Sequence, residues 1–107
     1  MDVLTGRQRR HLRALANQLE PSVYVGRDGL TPAVALALRE AFSNHELVKV
    51  RLARTCAQDR RRVAPRLAAV AQAHLVQVIG QTVVLYRPDP DQPRIELPAG
   101  GPSDGPA

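Results

Sequence analysis

Ser22-Val23-Tyr24-Val25-Gly26-Arg27-Asp28-Gly29-Leu30-Thr31-Pro32-Ala33-Val34 is the stretch from which the architecture can be read. Val23 and Val25 alternate with Ser22 and Tyr24, the period-two pattern of a short strand with one buried face. Gly26 and Gly29 bracket a loop. Gly26 is expected to turn the chain with a positive φ, and Gly29 to let a foreign backbone come close, since neither carries a Cβ. Thr31-Pro32 then reads as a helix N-cap followed by Pro at the first helical position. Strand, tight loop and helix start follow one another directly, which makes this stretch the core of a β-loop-α unit.

Working outward, the alternation of helix and strand continues on both sides. Upstream, Thr5 can cap a helix running to about Leu19. Leu12, Leu15, Ala16 and Leu19 form its apolar stripe, and Arg7, Arg9, Arg10 and Arg13 fall on the remaining arc at about 100° per residue. Glu20-Pro21 ends it, because a residue before Pro avoids the α region. Downstream, the helix capped by Thr31 carries a stripe of Val34, Leu38, Ala41 and Phe42, with His45 near its end. Leu47 to Ala53 alternates as a strand, with Val48, Val50 and Leu52 on one face and Lys49 and Arg51 on the other. A third helix spans about Ala57 to Ala73, and Pro65 inside it should bend it.

Leu75 to Ile79 and Thr82 to Arg87 read as strands joined at Gly80-Gln81, with Gly placed for a type II′ hairpin. Arg94 to Leu97 reads as an added edge strand. Residues 98–107 have too little apolar surface to order themselves and are expected to form a disordered tail. The result is an α/β domain over residues 1–97, in the order α-β-α-β-α-β-β. It is expected to be a two-layer sandwich, a mixed four-stranded sheet with its helices on one face. The other face would then be open and would carry Tyr24, Lys49, Arg51, Gln77, Thr82 and Tyr86. Tyrosines beside cations on such a face suit nucleobase stacking; they also suit an ordinary solvated face.

Composition narrows the function classes. The 107 residues suit one domain, and no apolar run approaches the roughly 18 residues of a membrane helix. The polar start, Met1 to Arg13, lacks the apolar stretch of a signal peptide, and a single cysteine agrees with a reducing compartment. A cytoplasmic protein with no membrane partner is therefore expected. Fifteen cationic side chains, all Arg except Lys49, face ten acidic ones, for a net charge of +5. Arg presents a planar fork that fits phosphate and stacks on bases. His11, His45, His74 and Cys56 show no metal-ligand spacing, and no nucleophile–base–orienter set or Walker motif is present. No cofactor, small-molecule substrate or enzymatic activity is expected. Arg60-Arg61-Arg62 with Arg66 can form a second basic ridge or a merely solvated helix face.

The loop itself combines several features of a phosphate contact. The free N–H groups of the helix start follow it, with the positive end of the helix dipole, and Arg27 projects a cation from its tip. Asp28 places a carboxylate in the same loop, where it can cap the local turn. Thr31 closes the element.

Gly26-Arg27-Asp28-Gly29-Leu30-Thr31, His45-Glu46-Leu47-Val48-Lys49-Val50, Val76-Gln77-Val78-Ile79-Gly80 and Thr82-Val83-Val84-Leu85-Tyr86-Arg87-Pro88 together resemble the YhbY family. These are the bacterial stand-alone members of the CRM domain, named for chloroplast RNA splicing and ribosome maturation. The resemblance runs in order from about Leu4 to Leu97. It implies a fold similar to the C-terminal domain of translation initiation factor three and an RNA-binding GxxG loop analogous to that of KH domains. It also implies association with precursors of the large ribosomal subunit, with ribosomal RNA as partner; separately, a monomer is expected. Carried over, the family loop falls on Gly26, Arg27, Asp28 and Gly29, and a basic surface near it is expected to include Arg7, Arg9, Arg10 and Arg13 of the first helix as phosphate contacts. The chain departs from the family pattern in the third helix, where Pro65 interrupts and Gln72 stands where a helix-ending Gly is common. The alternative from another class is a protein-interaction module that docks on a ribosome-bound factor through the open sheet face.

Overall fold

The computed structural model describes residues 3–56 and 59–98. α1 spans Gly6–Ala16 behind a complete capping box. The Thr5 hydroxyl accepts from the Gln8 N–H at 3.1 Å, and the Gln8 side chain accepts from the Thr5 N–H at 3.0 Å. The helix stops at Ala16, short of Leu19. Lys49 Nζ donates to the carbonyls of Ala16 and Leu19 at 3.2 Å each, so a cation meets the carbonyl end of α1. β1 (Val23–Val25), α2 (Pro32–Asn44), β2 (Leu47–Leu52), α3 (Arg60–Ala71), β3 (His74–Ile79) and β4 (Thr82–Tyr86) follow in the expected order.

α3 runs through Pro65 without interruption. Pro65 removes one hydrogen bond of the helix, the one to the Arg61 carbonyl, but both residues are exposed, so water can meet that oxygen. α3 closes on Gln72, the one positive-φ non-glycine among the described residues, at φ 54. The Gln72 N–H reaches the Ala69 carbonyl at 3.1 Å and the Ala73 N–H reaches Ala68 at 2.8 Å, the paired bonds of a Schellman end.

The sheet is mixed, in the order β1-β2-β4-β3, with β1 parallel to β2 and the other pairs antiparallel. Gly80 alone turns with positive φ at the β3–β4 hairpin, as a type II′ turn requires. A bulge lies between Leu75 and Gln77 on edge strand β3.

The expectation of helices on one face is corrected. α2 and α3 cover one face, packing Val34, Leu38, Val63 and Leu67 on Val23, Val25, Val48, Val50, Val83 and Leu85. α1 covers the opposite face, where Leu12 and Ala16 pack with Leu47, Val76, Val84 and Tyr86. β4 is buried at every position, as a strand sandwiched between two helical layers must be. The α/β class and the mixed four-stranded sheet stand; the open face does not, save at its β1 edge.

The expected edge strand at 94–97 is also corrected. That segment is a strap held by Glu46, which is only 4% exposed. The Glu46 carboxylate accepts the Arg94 and Ile95 N–H groups at 2.6 Å each and the Asp89 N–H at 2.7 Å. With its amides drawn to a side chain, the segment has fewer left for a ladder. Ile95 and Leu97 pack on the α1-side core, and Gln8 donates to the Pro98 carbonyl at 3.1 Å. Most of the tail expected over 98–107 lies outside the described residues.

Candidate nucleic-acid interface

The loop after β1 is a β-turn closed by the Gly29 N–H on the Gly26 carbonyl at 3.1 Å. Its two glycines have exchanged the roles expected of them. Gly29 is buried and holds φ 71, so it is the residue that turns the chain into α2. Gly26 is exposed, and a Cβ added there would meet no atom within 4 Å. Gly26 is therefore the position that keeps the approach clear. Arg27 and Asp28 stand exposed at the tip. Thr31 caps α2 by accepting the Val34 N–H at 3.2 Å, so its hydroxyl serves the helix first.

Beside the loop lies a hollow of about 350 Å³ lined by Tyr24, Val25, Gly26, Arg51, Leu52, Ala53, Arg54 and Gln81. Parallel pairing sets Tyr24 directly against Arg51, and Tyr24 is 67% exposed. Its floor is tied down. Leu52 N–H donates to the Gln81 carbonyl at 2.7 Å, Ala53 N–H to Val25 at 2.8 Å, and Gln81 Nε2 to Ala53 at 3.2 Å. Aromatic face, guanidinium groups and the first glycine of the loop thus converge at one end of the sheet.

Other residues expected at the site lie elsewhere. Tyr86 is corrected: it is 3% exposed, stacked on His74 at 5.9 Å between ring centroids beneath α1, and no base can reach it. Burial, then the charge of Glu46, pushes its hydroxyl above its ordinary pKa. Lys49 is half-buried and occupied at the end of α1. Arg9 is half-buried, and its guanidinium donates to the carbonyls of Leu75 and Val76 at the β3 bulge. Arg7, Arg10 and Arg13 stand exposed on α1, and none of the α1 arginines lines the hollow beside the loop. Arg54 and Gln81 were missed, because their places depend on the β2–α3 turn and the hairpin meeting across the sheet end.

The CRS1/YhbY (CRM) domain model matches residues 4–87. The chain belongs to that family. The loop and hollow therefore sit inside the CRM domain, and the strap beyond residue 87 lies outside the matched part. Among relatives of this CRM domain, the "Probable RNA-binding protein YqeI" of Bacillus subtilis is 38% identical over 96 residues, 90% of this chain and 100% of that protein. A Haemophilus influenzae protein named "RNA-binding protein" is 35% identical over 98 residues, 92% and 98% of the two chains. The solution structure of a hypothetical Staphylococcus aureus protein matches with a TM-score of 0.78 at 34% identity, covering 90% of this chain and 100% of that one. The three-helix, four-strand mixed architecture is thus the one this CRM domain shares with a solved structure.

Proposed function

We propose that this CRM domain binds RNA at the sheet end built by the Gly26–Gly29 loop, Tyr24 and Arg51, and that its target is ribosomal RNA in precursors of the large subunit. The observation that carries the reading is Gly26. It has no positive φ and no neighbour that excludes a side chain, so its lack of a Cβ leaves the backbone at the loop open to a ligand. Around that opening, Arg27, Arg51 and Arg54 supply cations, the α2 N-terminus supplies its dipole, and Tyr24 supplies a face for an unstacked base. The names of the relatives support the same chemistry, and the family resemblance supports the ribosomal target. The reading is of a monomeric, non-enzymatic, cytoplasmic protein in which Arg7, Arg10 and Arg13 add non-specific phosphate attraction. Among the described residues no helix is long and apolar enough to cross a membrane.

The test is Gly26→Asp. It adds bulk and negative charge at the open position without disturbing the fold. RNA affinity should fall by at least about tenfold, on the scale of a lost charge-assisted contact. A folded Gly26→Asp variant that binds large-subunit ribosomal RNA as tightly as the parent refutes the loop as the contact.

A further inference from the structure

The hollow beside the loop does not end at Arg54. A second hollow of about 180 Å³ continues from it, sharing Leu52, Ala53, Arg54 and Gln81, and reaching Cys56, Asp59 and Arg60 at the start of α3. Together they form one trough across the end of the sheet. Its floor is the hydrogen-bonded set already described, extended by the Cys56 N–H on the Ala53 carbonyl at 3.0 Å. Arg51, Arg54 and Arg60 stand along it, all exposed, and no side-chain hydrogen bond or ion pair engages Arg54 or Arg60 among the described residues. One anion, Asp59, lies in the trough, and its carboxylate already accepts the Arg61 N–H at 3.1 Å as the cap of α3. The groove is therefore net cationic, with a hydrogen-bonded floor, and it starts at the aromatic ring of Tyr24.

We infer that a single strand of RNA leaves the loop along this trough, toward α3 and away from α1, with Arg54 and Arg60 on its phosphates and Cys56 beneath it. The inference rests on the RNA-binding reading and gives the strand its path. An aromatic face followed by a line of guanidinium groups is how unpaired RNA is held: a base stacks, and the backbone tracks the cations. The exposed α1 arginines, Arg7, Arg10 and Arg13, line neither hollow and so add attraction without marking the path. Arg9 and Lys49 on that side donate to backbone carbonyls.

Cys56 is the only cysteine in the chain; it is half-buried, packed against the core and lining the trough, so a strand lying over it should slow reagents that reach its thiol. The experiment measures the rate of Cys56 alkylation by iodoacetamide in the parent protein. It is run with and without transcribed large-subunit ribosomal RNA, with binding followed in the same samples. The Arg54→Gln/Arg60→Gln double variant, checked for folding by circular dichroism, is titrated across salt. Saturating RNA should slow alkylation at least fivefold. The double variant should bind at least tenfold more weakly, with a log K against log salt slope shallower by about 1.4, for two phosphates lost from a single strand. RNA that binds while Cys56 reacts at the free rate, or a double variant with the parent's slope, overturns the path and leaves RNA binding standing. A parent that binds no RNA overturns both.

Discussion

Replacing Glu46 by Ala tests whether one buried carboxylate fastens the strap over residues 89–97. Three backbone N–H groups converge on it at 2.6 to 2.7 Å, from Asp89, Arg94 and Ile95. Hydrogen bonds to a charged group contribute about 1.5–3 kcal/mol each, but the full sum is not reached, because amides freed at the surface regain water. The cost of desolvating the carboxylate is also removed with it. What remains is bounded by the strap's own attachment, including the partial burial of Ile95 and Leu97. We expect a loss of about 2–4 kcal/mol, a large fraction of a small domain's stability. For a domain of this size the melting temperature should fall by about 10–25 °C. Glu46→Gln keeps one acceptor oxygen and should lose roughly half as much. Urea titration supplies the free energy, and hydrogen exchange at the Ile95 amide reports whether the strap has opened. A Glu46→Ala variant within about 0.5 kcal/mol of the parent, the range of an ordinary surface change, with Ile95 still protected, would refute the clasp.

The two loop glycines should separate stability from binding: Gly29→Ala, buried at φ 71, should cost about 1 kcal/mol or more, while Gly26→Ala should stay within about 0.5 kcal/mol of the parent in thermal melts. Gln72→Gly relieves a left-handed side chain at the end of α3 and should raise stability by up to about 1 kcal/mol in a urea titration, less the extra freedom of glycine in the unfolded chain. Tyr86 is an acid whose folded pKa lies above its ordinary value of 10.0, so its contribution is intact below pH 10 and is lost as pH rises beyond it, where only the unfolded tyrosine has ionised. Tyr86→Phe should flatten the alkaline limb of a stability-against-pH curve, and an unchanged limb would show that another group sets it.

Much of the local structure was legible in the sequence because it is set by neighbours along the chain. Thr5, Thr31 with Pro32, and Gly80 are short-range devices, and each element they delimit exists. The loop that nucleates the candidate site was legible for the same reason. The roles of its two glycines were not, since which of them holds positive φ depends on how the chain leaves β1 and enters α2. A signal for the second helical layer was present and was passed over. Thr82-Val83-Val84-Leu85-Tyr86 is a nearly continuous apolar run and not an alternation, the pattern of a strand covered on both faces.

The sequence by itself determined the succession of helices and strands, their caps and turns, the basic charge and the loop, all fixed by backbone sterics and by contacts a few residues apart. Only the tertiary structure decided which side of the sheet α1 covers, and with it that Tyr86 is core while Tyr24 stays exposed. It decided too that Lys49 and Arg9 serve backbone carbonyls, and that Glu46 holds a strap forty-odd residues further along the chain. It also joined Arg51, Arg54 and Arg60 to the loop in one trough. These outcomes depend on the order β1-β2-β4-β3, which brings distant segments side by side, and no pattern of period two or 3.6 carries that order.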